Sequence, residues 1–367
     1  MRFSTLSGKR ILLFAPVFYS YYLAIADALR KNGAYVDLYT IKYGDIGIVR
    51  KKVRVVKKVL LRGRVRYIKG RLDYLKKIEE SVFSKFYDIF FVVQLYPYDI
   101  SFISRLKSLN PSLQTYIFFW DPIVGHSLTH TVSCFDNIFC FSRKDVEILK
   151  MYLEFKDKHI CYLPNFYLLD DSFTSQQTTY DIAFIGTVNA DTLDRYAFLQ
   201  KINEWCRASH LNACLYLRRD STPFSIFHKL ILLRSKETRE QLRLYLRYKN
   251  APWVHTDKLS IDEVKQIECS SKCLLDITHL NHQGYTLNVL SAIGKGKKLI
   301  TTNHRISQEP FYHPNNISIV DACNPVFDRD FFDRPIVPID ISCLEIHNWL
   351  SMIFDPNYYA DNIDKVS

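Results

Sequence analysis

A repeated alternation constrains this chain more than any single motif. Short runs of continuous apolar residues end in polar turns and give way to segments with helical spacing. The runs of the first half are Arg10–Pro16 (RILLFAP), Tyr87–Gln94 (YDIFFVVQ), Gln114–Asp121 (QTYIFFWD), Ile138–Ser142 (IFCFS) and His159–Leu163, and Ala34–Ile41 alternates as a further strand. Helical spacing falls on Tyr19–Lys31, on Ile100–Leu109 and from Arg143 to Leu153. Runs that are apolar throughout belong to strands covered on both faces, the condition of a parallel sheet between helices. The pattern stops at Tyr167–Thr179, a polar stretch rich in Ser, Thr and Gln, and starts afresh at Tyr180–Gly186 (YDIAFIG). A chain of 367 residues exceeds what one hydrophobic core usually serves. The expected architecture is therefore α/β, with two Rossmann-like domains facing each other across a cleft. Residues 1–166 form the first, 167–179 the linker and 180–340 the second. Residues 341–367 are C-terminal helices and candidates for crossing back to the first domain.

The second half holds the stretch with the most chemistry, Lys272–Asn303. It spells strand, polar loop, helix and strand, with helical spacing over Thr286–Ile293 and a stop at Gly294-Lys295-Gly296. A loop leading from the carboxyl end of a strand into a helix N-terminus is where open α/β sheets take anionic ligands. Other candidates should reach the same sheet edge, because each follows a strand: Gly186 and Thr187, Arg218 and Arg219, and His255. Together with Asp276, His279, Gln283, Gly284, Tyr285, Thr286 and Asn288 they suit a nucleoside diphosphate. Glycine and helix N–H groups admit a pyrophosphate, and arginine pairs with it bidentately. Each alone also has a plain structural reading: a solvated strand end for the arginines, a surface histidine for His255 or His279, a turn for the glycines. The first strand-to-helix turn, Ala15–Tyr19, carries no glycine-rich fingerprint, which argues against a dinucleotide site there.

Charge narrows the partners. The formal net charge is +11, a surplus that favours nucleic acid, anionic lipid or a phosphorylated substrate. It concentrates in Arg50–Lys77, where 13 Lys or Arg face the single Asp73. That region is either a solvated face or a basic element touching anionic headgroups through residues such as Arg50, Lys51, Lys52 and Arg54. No helix-turn-helix, zinc-finger or RNP-like signal supports nucleic acid. The nine cysteines show no CxxC pair, so a structural zinc site is not expected, and their placement in apolar elements suits a reduced, cytosolic compartment. No signal peptide and no spanning run are visible. No metal or other cofactor is expected, because no Asp-x-Asp or clustered His/Asp spacing stands out.

The stretches YDIAFIGT (180–187), SSKCLLDITHLNHQGYTLNVLSAIGKGKKLITTN (270–303) and PFYHPNNISIVD (310–321) resemble the C-terminal domain of GT-B type glycosyltransferases of bacterial lipopolysaccharide or capsule synthesis. The match is most specific over 292–303. It implies a glycosyltransferase that uses a nucleotide-sugar donor, with Gly186, Gln283, Gly284 and Thr286 lining the donor site. It also implies a glycolipid or polysaccharide acceptor and a place on the inner face of the plasma membrane. Two departures stand out: many such enzymes hold the ribose with a glutamate where Ser291 stands, and often carry a basic residue where Asn288 stands. A catalytically inactive donor-binding or scaffold protein is therefore an alternative, as is a nucleic-acid-binding protein. In inverting members the first domain supplies a base. Asp121, closing QTYIFFWD, is the best-placed carboxylate, followed by His126 and Asp99. Asp121-Pro122 also reads as an ordinary turn starter.

Overall fold

The computed structural model describes residues 6–17, 20–42, 78–94, 100–123, 129–169, 178–188, 192, 194–219, 243–244, 246–278 and 284–367. The basic stretch with Arg50, Lys51, Lys52 and Arg54 lies outside the described residues, as do Asp99, His126, His279 and Gln283. The chain divides into two compact units, Met1–Pro164 with Leu350–Tyr359, and Asn165–Trp349 with Ala360–Ser367.

The first unit is a parallel sheet of β1 (Arg10–Val17), β2 (Tyr35–Lys42), β3 (Ile89–Val93), β4 (Gln114–Phe119), β5 (Asn137–Cys140) and β6 (His159–Tyr162), in the order β2-β1-β3-β4-β5-β6. Helices α1 (Tyr21–Lys31), α2 (Ile100–Leu109) and α3 (Arg143–Lys150) accompany it. All five residues of β3 are buried, as its unbroken apolar run requires. Phe14, Phe90, Phe102 and Phe135 pack in one cluster, each burial contributing about 2 kcal/mol. Asn110, which ends α2, joins that helix to the sheet: its Oδ1 accepts the Tyr87 N–H at 2.7 Å, and its Nδ2 donates to the Leu106 carbonyl at 2.8 Å.

The second unit repeats the plan with β7 (Tyr180–Val188), α4 (Asp194–Ala208), β8 (Ala213–Arg219), β9 (Val254–His255), α5 (Ile261–Cys269), β10 (Ser271–Asp276), α6 (Leu287–Gly294), β11 (Lys298–Thr301) and β12 (Ile317–Ile319). Its strands run parallel in the order β12-β11-β10-β7-β8-β9. Chain order runs outward from β7 through β8 to β9, then resumes on the other side at β10. The topological switch point therefore lies between β7 and β10, where doubly wound sheets place their ligands.

Local chemistry sets the helix ends. α5 opens with a capping box, which the sequence Ser260-Ile261-Asp262-Glu263 predicts: Ser260 Oγ accepts the Glu263 N–H at 3.2 Å, and Glu263 Oε2 accepts the Ser260 N–H at 2.7 Å. The two glycines at the end of α6 divide the work expected of them jointly. Gly296, at φ +63°, makes the left-handed stop: Lys297 N–H reaches the Ala292 carbonyl and Gly296 N–H the Ile293 carbonyl. Gly294 is the last helical residue and lies against Tyr167, where a Cβ would sit 2.4 Å from the ring. One expected helix starts late. The spacing over Asp340–Phe354 suggests a single helix, but α7 runs only from Ile346 to Phe354. Tyr167 takes the backbone there instead, donating to the Leu344 carbonyl and accepting from the Ile346 N–H. α8 follows at Pro356–Asn362. Among the described residues no helix is long and apolar enough to cross a membrane.

The substitution Gly294→Ala should lower stability by about 1–2 kcal/mol. Overpacking against Tyr167 costs about 1–3 kcal/mol, which outweighs the helix-propensity gain of about 1 kcal/mol. Urea unfolding midpoints of the two proteins measure the difference. An unchanged or raised midpoint would mean that the Tyr167 ring moves aside without cost.

Candidate functional site

At the switch point of the second unit, β10 ends in Asp276, only 3% exposed. Its Oδ1 accepts from the Thr286 hydroxyl at 2.9 Å, and its Oδ2 from Thr301 at 3.0 Å and from Thr278. Thr286 is the N-cap of α6, and its Oγ1 accepts the Val289 N–H at 3.3 Å. The carboxylate thus binds the end of β10, the start of α6 and β11 into one corner. Asn288, in the first turn of α6, donates to the Ile185 carbonyl of β7 at 3.2 Å and closes the same corner from the other strand.

Arg195 occupies this corner and was not apparent from sequence. It lies one residue into α4, the helix that follows β7. Its Nη1 donates to the Thr187 carbonyl at 2.7 Å and its Nη2 to the Ile277 carbonyl at 3.0 Å, so the guanidinium spans the ends of β7 and β10. Burial pulls its pKa below the ordinary arginine value, and the charges of Asp276 and Asp194 oppose that shift. No described carboxylate forms an ion pair with it. A cation in the first turn of a helix opposes the helix dipole. That was the one sequence signal for Arg195, and it is weak without knowledge of where the helix starts.

The remaining candidates distribute along the same edge. Strand register places Thr187 opposite Arg218 and Arg218 opposite His255, so the three form a row across β7, β8 and β9; Arg219 follows opposite Val188. The His255 ring stacks on Tyr216, 4.0 Å between centroids and 1° from parallel, and the Tyr216 hydroxyl donates to the Asp257 carbonyl. Gly186 serves packing: a Cβ there would lie 2.5 Å from the Phe184 ring. Gly284 is buried. Tyr285 is buried as well, its hydroxyl donating to Glu309 and its carbonyl accepting from Asn165 at 2.9 Å. Ser291 donates to Glu268 of α5 at 3.0 Å, and the same carboxylate is ion-paired with Lys295.

In the first unit, Asp121 follows β4. Its N–H donates to Gln94 Oε1 at 3.3 Å. Burial pushes its carboxyl up to about 6, against a hydrogen bond from the Trp120 side chain that favours the charged form. Asp145, in the first turn of α3 and 2% exposed, accepts the Ile123 N–H at 3.3 Å. Its pKa is also raised by burial, opposed by that N–H and by Lys144. Among the described residues no group of three or more His, Cys, Asp or Glu gathers as a metal site would require.

No family model matches the chain, and no curated protein does. Solved structures do. The UDP-forming α,α-trehalose-phosphate synthase of Burkholderia xenovorans, in complex with glucose-6-phosphate, aligns with a TM-score of 0.56 at 10% identity over 97% of each chain. That of Burkholderia vietnamiensis gives 0.55 at 10% identity, over 97% of this chain and 100% of that one. The fold is GT-B. The N-terminal domain of the Candida albicans trehalose-6-phosphate phosphatase shares it, at a TM-score of 0.51 and 10% identity over 98% of this chain and 97% of that one.

The raised Asp121 pKa has a measurable sign. A carboxyl that titrates near 6 when folded, against about 3.9 when unfolded, binds its proton more tightly in the folded state. The protein should therefore gain stability as pH falls from 7 through 6 toward 4, by about 2–3 kcal/mol from this group. Unfolding by urea across that range, with Asp121→Asn as reference, should show the gain in the parent and not in the variant. Parallel curves would place Asp121 at an ordinary pKa.

Proposed function

We propose that this protein is a glycosyltransferase that moves a sugar from a nucleotide-sugar donor to a glycolipid or polysaccharide acceptor of a bacterial surface glycan. The observation that carries the proposal is Arg195, a buried guanidinium at the switch point of the second unit with no described carboxylate as ion partner. Buried charges are normally paired, and an unpaired one is costly. A diphosphate would supply the missing anion, aided by the positive N-terminal end of α6. Two further supports point the same way. The solved structures of similar fold include UDP-forming synthases, and the stretch at 292–303 resembles surface-glycan transferases.

The roles follow from the chemistry. The second unit holds the donor, with the row Thr187, Arg218 and His255 along the sheet edge beside the nucleoside and sugar. In the first unit Asp121 is the base. The acceptor hydroxyl gives its proton to the Asp121 carboxylate while its oxygen bonds to the anomeric carbon. The bond from that carbon to the diphosphate breaks, and the electron pair leaves with the diphosphate, where Arg195 stabilises the charge. In this scheme the protein's own positive charge replaces a metal ion. The basic stretch Arg50–Lys77 docks the enzyme to an anionic membrane that presents the acceptor.

Thermal shift against UDP-, GDP-, CMP- and ADP-sugars tests the donor site. A ligand at 100 times its Kd stabilises the native state by about 2.7 kcal/mol. One nucleotide class should raise Tm, and Arg195→Gln should abolish most of that rise while the unliganded protein still unfolds cooperatively. Silence across the panel would count against the donor site. The membrane role has a separate check. Cosedimentation with phosphatidylglycerol vesicles should weaken as salt rises and disappear when Arg50, Lys51, Lys52 and Arg54 are changed to Glu; unaltered binding by that variant would remove the docking role from this stretch.

A further inference from the structure

We infer that Gln94 is a positioning residue for Asp121, a role that rests on Asp121 being the base proposed above. The geometry carries it. The ladder between β3 and β4 ends at the pair Val93 and Phe118. Gln94 then donates its own N–H to the Phe118 carbonyl at 2.7 Å and turns out of the sheet with φ at 57°. From that position its side-chain Oε1 accepts the Asp121 N–H at 3.3 Å. One residue therefore holds the end of β4 and the turn after it at points three residues apart, and its side chain adds a rung that the backbone no longer supplies.

The conformation is unusual for this side chain. Left-handed backbone belongs mostly to Gly, with Asn and Asp next; Gln gains nothing locally from it. Among the described residues only His210 shares the feature without being glycine, and His210 follows α4, where such turns commonly end a helix. Gln94 follows a strand, so no helix cap explains it. Strain of this kind persists where surrounding structure imposes it and collects at functional sites.

The other end of the turn is held in the same manner. Pro122 has no N–H, and the Ile123 N–H ends on Asp145 of α3. Both amides of Asp121-Pro122-Ile123 thus bond to side chains from different elements, Gln94 after β3 and Asp145 in α3. The turn cannot slide without breaking one of them. Among the described residues, the groups that bear on the Asp121 segment are the Trp120 side chain, Gln94, and Asp145 with its neighbour Lys144 on α3. No described cation forms an ion pair with Asp121; the hydrogen bond from the Trp120 side chain is what favours its charged form.

The test needs no substrate. Gln94→Gly removes the side chain and relieves the backbone; Gln94→Asn tolerates the same backbone but falls one methylene short of Asp121. In each background, the pH dependence of urea unfolding with and without Asp121→Asn isolates the Asp121 titration. Both Gln94 variants should fold with a midpoint at pH 4.5 at or near that of the parent. In both, Asp121 should gain water and its pKa should drop by about one unit, tenfold in proton affinity. Where a donor supports turnover, the acid limb of kcat/KM should move down with it. A shift in stability with no movement of the Asp121 titration would overturn the role and leave Gln94 as structure alone. A moved titration in a protein inactive with every donor would uphold the positioning and sink the transferase proposal instead.

Discussion

One buried carboxylate holds the switch-point end of the second unit together. Asp276 accepts three threonine hydroxyls, from the loop after its own strand, from the cap of α6 and from β11. The Thr286 hydroxyl is the hinge of this arrangement, since it donates to Asp276 and accepts from Val289 at once. A hydrogen bond to a charged group contributes about 1.5–3 kcal/mol, and a buried acceptor left empty costs a similar amount. The corner is therefore all-or-none: helix, loop and strand are ordered together or not at all. Order of this kind lets Arg195 do something Asp276 does not. The carboxylate's bonds are spent on hydroxyls, and the guanidinium's on two carbonyls, so the two charges lie near each other without pairing.

The first unit arranges the opposite sign. Asp121 and Asp145 both follow strands of one sheet, and burial raises both pKa values. Among the described residues neither is ion-paired with an arginine. A carboxyl that titrates near 6 is charged for most molecules at neutral pH yet still binds a proton well, which is the compromise a base requires. An ion pair would have pulled it down into the ordinary carboxylate range or below and weakened it as a base. The choice of a neutral amide, Gln94, to hold this turn leaves that property intact.

Much of this was legible in the sequence, and the boundary is physical. Continuous apolar runs located the strands because burial on both faces leaves no other pattern; β3 is one, buried from Ile89 to Val93. The capping box of α5 was legible because both partners lie within four residues. Long-range contacts were not. Ser291 stood out only as replacing a glutamate of similar enzymes, with no sign of its partner; it meets Glu268, and so does Lys295. Gly294 looked like part of a helix stop, and only the fold brings Tyr167 against it. Asp276 was picked as a ligand contact from its place at a strand end, and that same place brings it to Thr301, 25 residues away. Gln94 carried no local sign at all, since its conformation is imposed by β4.

Gly186 shifts the weight of the donor proposal. A glycine at the end of the first strand invites the idea that backbone must approach a phosphate. Here the ring of Phe184 already fills the space a Cβ would take, so packing alone requires the glycine. What remains to recognise an anion is charge and direction: a guanidinium fixed to Thr187 on β7 and to Ile277 just past β10, and the amino end of a helix whose cap is fixed to Asp276. Both are anchored to strands rather than carried on a flexible loop. Groups fixed in advance need no reorganisation when charge develops on a leaving diphosphate, and that is where electrostatic stabilisation acts most strongly. If this corner does hold the proposed donor, a guanidinium and a helix end fixed in advance would do the work that a glycine cradle does elsewhere.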